Sequence, residues 1–256
     1  YGADQVGVLV SPMATVEELQ LVKELQAGLK LTNVDYRFNQ RDFSGEKAEP
    51  TFRALGVTLP EVNQLDSIFL VGADPRMEVP VLAIRVRDAV KNGAKVSFLG
   101  SYNADQLHAM NAEIVAHPFN WVNELSSVLV KVAEMKGASI RPELTSVINS
   151  NTQNSEAVNI LAEQLIKGER EWIVLGHDAI SHPQFATLRV LAAELARITG
   201  AKLGYFTQGS NASGAAITGL TNAVANTASM IESPLKAYVL VGAIDPEFDF
   251  VDSAKT

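Results

Sequence analysis

Short apolar segments bounded by turn residues alternate along this chain with segments of helical periodicity. The apolar segments predict strands at Val6–Val10, Asn33–Arg37, Ser67–Val71, Lys95–Leu99, Trp172–Leu175, Lys202–Phe206 and Ala237–Val241. The periodic segments predict helices over about 15–30, 79–91, 120–136, 155–167 and 184–198. Such alternation is typical of βαβ units, in which helices cover both faces of a parallel sheet.

A polar stretch divides the pattern near its middle. Residues 137–154 accumulate Gly, Pro, Ser, Thr and Asn before the helical periodicity resumes at Ser155. We therefore predict an α/β fold of two Rossmann-like lobes, residues 1–140 and 141–256, with mainly parallel sheets flanked by helices. The second lobe is expected to be incomplete, and the chain, which starts at Tyr1 without a methionine, is expected to be part of a longer protein.

A weak internal repeat places similar turns in both lobes. The segments 67–80 (SIFLVGADPRMEVP) and 237–250 (AYVLVGAIDPEFDF) each present a strand, a glycine, an acid and a proline in that order. In a parallel sheet these turns lie at the carboxyl ends of strands, which is the edge where such folds bind ligands. The sequence therefore predicts that both turns lie at a ligand-binding edge.

Composition and charge exclude several classes of partner. The 256 residues are 47% hydrophobic and 20% charged, as in an ordinary globular protein, and carry a net charge of −8. This acidity leaves no basic surface to neutralise phosphates, so nucleic acid and anionic membranes are not expected as direct partners. No apolar run is long enough to span a bilayer and no signal peptide is recognisable, so we expect a cytoplasmic protein without membrane insertion.

The chain offers little support for catalysis or metal binding. It contains no cysteine, which excludes disulfides, thiolate nucleophiles and cysteine-ligated iron–sulfur clusters within these residues. Of its four histidines only His177 and His182 are close in sequence, on either side of Asp178, and we predict no metal site. A triad of Ser11, His177 and Asp74 can be assembled, but no spacing or G-x-S-x-G motif selects it, so no catalytic residue is predicted.

Two glycine-containing turns remain as candidate binding elements. Neither G-x-G-x-x-G nor a P-loop motif occurs. The turn Gly72–Arg76 could present backbone N–H groups to a phosphate, or it could be a tight connection from strand to helix. The stretch Gln208–Gly214 has small residues that suit either the close approach of a ligand or a strained connection. The residues themselves leave both alternatives open.

Several motifs, taken in order, resemble one family. Gly7-Val-Leu-Val-Ser11 is followed by Glu17-Glu18, by Asn33-Val-Asp-Tyr-Arg37, by Val71-Gly-Ala-Asp-Pro-Arg76 and by Asn211-Ala-Ser-Gly-Ala215. This succession resembles the molybdopterin oxidoreductases over nearly the whole chain. Within that family, the stretch VGADPRMEVPVLAIRVRDAVKNGAKV (71–96) is similar to the large iron–sulfur subunit of respiratory NADH:quinone oxidoreductases.

The resemblance implies candidate cofactor-binding positions. Departures from the family pattern imply that cofactor binding itself has been lost. The family pattern maps cofactor binding onto Ser11, Gly72, Asp74, Pro75, Asn211 and Gly214. However, Val16 and Asp74 stand where cofactor-loaded relatives have asparagine, and Gly100–Tyr102 replaces an Asp-Pro-Arg sequence. We therefore expect vestigial positions, no cofactor in this region and no turnover by the region itself.

The resemblance also implies a parent protein and its partners. The parent would transfer electrons from NADH to quinone through iron–sulfur clusters held by cysteine-rich segments upstream. This region would be a scaffold that contacts the rest of its subunit and other subunits, in the peripheral arm of a membrane-bound complex on the cytoplasmic face. One alternative is a genuine molybdopterin-dinucleotide module with Gly72, Asp74 and Asn211 near the dinucleotide. Another is a small-molecule binding protein that uses a cleft between two lobes.

Overall fold

The computed structural model describes residues 2–50, 52–103, 105–148, 152, 154–221 and 225–242. Its strands are β1 Val6–Val10, β2 Asn33–Asp35, β3 Ser67–Val71, β4 Lys95–Gly100, β5 Ala112–Val115, β6 Glu171–Leu175, β7 Lys202–Tyr205 and β8 Ala237–Val241. Its helices are α1 Val16–Leu29, α2 Leu59–Val62, α3 Pro75–Glu78, α4 Pro80–Lys91, α5 Trp121–Lys136, α6 Glu156–Lys167, α7 His177–Ile180, α8 Phe185–Thr199, α9 Ala212–Thr218 and α10 Thr227–Glu232.

The structure confirms the α/β fold with two parallel sheets flanked by helices. The predicted long helices and buried strands are present, with ends that differ by a few residues. The sequence pattern did not predict β5, α3, α7 or α10, and it placed α9 within a loop. Each of these elements has seven residues or fewer, which is too short for a hydrophobic period to be detected.

The chain divides differently from the sequence-based boundary at residue 140. One compact unit combines Tyr1–Arg53 with Thr207–Thr256, and the other comprises Ala54–Phe206. The polar stretch after α5 connects two helices of the same layer, because α5 and α6 pack against each other within the second unit. Its composition reflects solvent exposure and not a change of domain.

The first unit is built on a three-stranded parallel sheet in the order β2-β1-β8. Thr15 begins α1 with a capping box, in which its hydroxyl accepts from the backbone N–H of Glu18 and the Glu18 carboxylate accepts from the Thr15 N–H. The buried face of α1, with Leu19 and Val22, packs in one cluster with Val8 of β1. These contacts hold the carboxyl end of β1 in place.

The second unit contains a five-stranded parallel sheet in the order β5-β4-β3-β6-β7. Helix α4 packs on one face, in a cluster with Ile68, Leu70 and Val174. Helices α5, α6 and α8 pack on the other face, in a cluster with Phe69 and Ile173. The chain runs from β3 outward to β4 on one side and from β6 outward to β7 on the other, so the strand order reverses between β3 and β6.

This reversal is a topological switch point. Two glycines allow the turn after β3 and the turn after β6 to come into contact. Gly72 follows β3 with φ +51°, and a Cβ there would lie 2.6 Å from the backbone nitrogen of Ala179. Gly176 follows β6, and a Cβ there would collide with Ala73 and the Gly72 carbonyl. The Gly176 N–H donates to the Val71 oxygen at 3.0 Å, and the Asp178 N–H donates to the Gly72 oxygen at 3.1 Å. The two turns are therefore joined backbone to backbone.

Within the described residues, no helix has the length and apolar character needed to cross a lipid bilayer.

Substitution of Gly176 by alanine tests whether the two turns need this close contact. Gly176 has φ −92°, which alanine adopts freely, so the expected loss of roughly 1–3 kcal/mol in unfolding free energy comes from overpacking. Gly28→Ala in α1 is the matched control, because nothing lies within 4 Å of its added Cβ, and it is expected to stabilise by up to about 1 kcal/mol. Urea unfolding measures the unfolding free energy of both variants. Equal effects of the two variants would contradict the packing described.

Candidate functional site

The candidate site is the edge of the five-stranded sheet at the carboxyl ends of β3 and β6, where the strand order reverses. We call this edge the switch-point crevice and define it by residues 72–78 and 176–178. Open α/β sheets bind ligands at such a reversal of strand order. The short helices α3 and α7 begin there, and each carries polar side chains toward the same edge. Three of the sequence-predicted candidates, Gly72, Asp74 and Pro75, lie in this crevice.

Asp74 is the N-cap of α3. Its Oδ1 accepts hydrogen bonds from the backbone N–H groups of Arg76 at 3.0 Å and Met77 at 3.3 Å. The same oxygen accepts from the Gln106 side-chain amide at 2.9 Å, and the Tyr102 hydroxyl lies 3.5 Å from Oδ2. Pro75 occupies the first helical position, where its missing N–H costs nothing. The carboxylate of Asp74 thus caps α3 and also holds the loop that follows β4.

Glu78 joins the two strand-end turns. Its side chain is only 8% exposed. Its Oε1 accepts from the backbone N–H of Asp74 at 2.6 Å, and its Oε2 accepts from the backbone N–H of His177 at 2.8 Å. The His177 Nε2 lies 3.7 Å from Oε2. Glu78 was not among the predicted site residues. Its local signal in the sequence is an acid one helical turn after an Asp-Pro helix start.

The surroundings of Glu78 raise its pKa, chiefly through burial. Burial raises the pKa of Glu78 to about 7, while the N–H groups of Asp74 and His177 oppose this rise and the charges of Asp178 and Asp74 add to it. The pKa of Asp178 is also raised, by burial and by Asp74 against the opposing charge of His177. Burial and the same acids raise the pKa of Tyr102. The crevice is therefore negatively polarised.

Four backbone donors of the crevice are already engaged by carboxylates of the protein. The N–H groups of Asp74, Arg76, Met77 and His177 all donate to the carboxylates of Asp74 and Glu78. Such N–H groups at a strand-to-helix turn are what a bound phosphate would otherwise use. The Arg76 guanidinium, the cation of this turn, points to Asp105, donating to its backbone oxygen at 2.8 Å.

The structure places the other candidates, Ser11, Asn211 and Gly214, together in the first unit. The Asn211 amide nitrogen donates to the Ala14 oxygen at 2.7 Å, and its backbone N–H donates to the Pro12 oxygen at 2.9 Å. A Cβ on Gly214 would collide with the Asn211 side chain. Asn211 therefore ties the start of α9 to the chain that follows β1. The predicted turn after β8 falls largely on residues 243–250, outside the described residues.

The two neighbouring histidines have different surroundings. His182 is buried, stacks on Trp121 with ring centroids 5.5 Å apart, and places Nε2 2.9 Å from the Pro118 oxygen. Its Nδ1 accepts from the Gln184 N–H, so this ring stabilises the start of α8. His177 lies in the switch-point crevice. Within the described residues, no group of three or more His, Cys, Asp or Glu side chains is arranged to hold a metal ion.

The family-like Asn-x-Asp-x-Arg segment forms a buried ion pair. Asp35 Oδ1 accepts from Arg37 Nε at 2.8 Å, and Asp35 Oδ2 accepts from the Thr227 N–H at 2.8 Å. Arg37 also contacts the Glu46 carboxylate at 2.5 Å and lies over the Phe43 ring, 4.7 Å from its centroid. These side chains connect β2 to α10 and also to the polar segment that follows β2. Their role in the described structure is therefore structural.

Asp74→Ala is expected to lower the unfolding free energy by about 1–2 kcal/mol, as other N-cap losses do, because Arg76 and Met77 lose their acceptor. Asp88→Ala is the control, since Asp88 forms an exposed pair with Lys91 and its loss is expected to cost under about 0.5 kcal/mol. Thermal and urea unfolding of both variants measure the difference. An Asp74 variant as stable as the Asp88 variant would contradict the capping role.

Comparisons with known proteins agree with this architecture. A comparison with curated proteins gives no match. Among solved structures, a chain of the formyltransferase/hydrolase complex FhcABCD from Methylorubrum extorquens, in complex with methylofuran, is similar with a TM-score of 0.62. The identity is 14%, over 96% of this chain and 72% of that chain, and this shows a shared fold. The family model of the molybdopterin oxidoreductases matches residues 1–251. The chain therefore belongs to the molybdopterin oxidoreductase family.

Proposed function

We propose that this chain is a non-catalytic scaffold region without a bound cofactor, from the large iron–sulfur subunit of a respiratory NADH:quinone oxidoreductase. The parent complex would transfer electrons from NADH to quinone through iron–sulfur clusters carried elsewhere. The similarity of residues 71–96 to that subunit supports the parent, and the absence of cysteine from these 256 residues agrees with clusters held by another part of it.

The single observation that carries the scaffold proposal is the capped switch-point crevice. A molybdopterin dinucleotide carries phosphate groups, and phosphates bind where backbone N–H groups and positive charge are available. Here Asp74 and Glu78 take four backbone N–H groups of the crevice for themselves. A phosphate would have to break these bonds and approach two carboxylates. The residues of this crevice therefore do not fit the phosphate portion of that cofactor.

The surroundings of Asn211 also favour a region without a bound cofactor. Its amide nitrogen and its backbone N–H are both engaged with the chain that follows β1, at Ala14 and Pro12. A ligand that used the Asn211 amide as a donor would compete with these contacts. The family positions in the first unit thus support the fold of that unit.

A scaffold stabilises an assembly through its surfaces, and α3 and α4 carry exposed apolar side chains. Val81 and Ile84, three residues apart on α4, are 68% and 63% exposed, and Met77 on α3 is 76% exposed. Large exposed apolar side chains favour contact with other protein. The partners we propose are the rest of its own subunit and the other subunits of the complex, in a peripheral arm on the cytoplasmic face.

One observation favours a second candidate, a genuine molybdopterin-dinucleotide module. The crevice lies at the topological switch point, where related folds bind nucleotides. The Asp74 Oδ2, which takes no part in the capping bonds of α3, is an acceptor that suits the N–H donors of a guanine base. This candidate requires the phosphates to bind through residues other than the capped turn.

Elemental and pterin analysis of the full-length parent protein separates the two candidates. We expect iron in the purified protein, from the clusters upstream, together with only trace molybdenum or tungsten and no pterin fluorescence after oxidative extraction. The iron content is the internal control for cofactor retention during purification. Stoichiometric pterin with molybdenum or tungsten would overturn the scaffold proposal and establish the second candidate.

Co-purification tests the proposed parent. A tag on the full-length protein is expected to recover NADH-dependent quinone reductase activity together with the other subunits of the complex. Recovery of the full-length protein without that activity and without those subunits would contradict the assignment to a NADH:quinone oxidoreductase.

A further inference from the structure

We propose that the outward face of α1 is a docking surface for a helix of a neighbouring subunit, one whose apolar side chains are flanked by Lys or Arg. We call this face the leucine stripe and define it by Leu21, Leu25, Gly28 and Leu29. The inference rests on the scaffold part of the proposed function, because a scaffold needs contacts with partners, and not on the identity of the parent complex.

The leucine stripe is an apolar row along a single regular helix. Helix α1 has 14 residues, and side chains four residues apart are neighbours on the surface of a helix. Leu21, Leu25 and Leu29 are 65%, 38% and 58% exposed. Gly28 lies next to them, and a Cβ there would meet nothing within 4 Å. An apolar row of this length in solvent is typical of a surface that contacts other protein.

The opposite side of α1 already serves the core of the first unit. Leu19 and Val22 are buried there in the cluster that contains Val8 of β1, and α9 packs against the same helix. One apolar face is what a surface helix needs in order to dock on its own domain. The leucine stripe is a second apolar face, and a helix that is apolar on two sides is normally covered on both.

Acidic side chains lie along one edge of the leucine stripe. Glu17 is four residues before Leu21 and Glu24 is three residues after it, so both are its neighbours on the helix surface. Both acids are exposed. Lys23 projects from the opposite side of α1, where it donates to the Gly219 carbonyl oxygen at 3.2 Å. This edge of the stripe therefore presents negative charge to a partner.

The charge of this edge selects the kind of partner. In paired helices, charged residues beside the apolar seam set partner choice, and acids there pair with Lys or Arg of the other helix. A second copy of this chain would bring a second set of the same acids to the seam. A membrane surface is disfavoured as well, because helices that lie on membranes carry Lys and Arg on their polar face. A basic amphipathic helix of another subunit matches both the shape and the charge.

A peptide titration of the full chain tests the docking surface. The probe is a synthetic helix of three heptads with leucine at positions a and d and lysine at positions e and g, whose own charge disfavours self-association. Fluorescence anisotropy of the labelled peptide measures binding. We expect saturable binding of this peptide and none of a matched peptide with glutamate in place of lysine. Equal binding of the two peptides, or binding of neither, would overturn the proposal.

Variants assign the binding to the leucine stripe. The double substitution Leu21→Gln and Leu29→Gln keeps the charge of α1 and is expected to weaken binding of the lysine peptide by roughly tenfold or more, because two apolar anchors are lost. Ile84→Gln is the matched control, since Ile84 is 63% exposed on α4, and its binding is expected to be unchanged. A double variant that binds like the unsubstituted chain, or that unfolds at a clearly lower temperature than Ile84→Gln, would overturn the proposal.

Photocrosslinking in the full-length parent protein, within its purified complex, identifies what covers the stripe. With a photoreactive amino acid in place of Leu25, we expect a crosslink to a helix of another polypeptide that has Lys or Arg beside the crosslinked position. A crosslink within the same polypeptide, to a second copy or to lipid, or no crosslink, would overturn the proposal. The metal and pterin analysis is independent of this result, so a scaffold without this docking surface is distinguishable from a region that is not a scaffold.

Discussion

The contact on which this account depends is the capture of backbone N–H groups by two carboxylates at the reversal of strand order. A parallel α/β sheet leaves unpaired donors where strands pass into helices, and these donors need partners. In this chain Asp74 and Glu78 supply them. The edge that binds ligands in related folds is here closed by the protein itself. The proposed loss of the cofactor follows from this, because the N–H groups that a phosphate would use already donate to protein carboxylates.

The rest of the second unit keeps the two turns close enough for this contact. Gly72 and Gly176 allow the backbones after β3 and β6 to meet, and helices on both faces fix the strands that carry them. The carboxylate of Glu78 is consequently buried near other acids, and this burial raises its pKa to about 7. Packing, hydrogen bonding and the pKa are thus linked at Glu78.

Local sequence patterns predicted the elements better than they predicted the partners of the side chains. The strand Ser67–Val71 and the helix Val16–Leu29 depend on neighbouring residues, and the sequence predicts both. The contact of Glu78 with His177 spans 99 residues, and no local spacing encodes it. The division of the chain after Arg53 was missed for the same reason, since the return to the first unit at residue 207 has no compositional signal.

The most direct test of the central claim is a titration of the full chain with pyrophosphate and with guanosine diphosphate, followed through the backbone amide resonances of Arg76, Met77 and His177. Because these amides donate to protein carboxylates, the account predicts no saturable shift at any of them with either ligand. Saturable shifts at these three amides would show that the turn accepts phosphate and would contradict the account.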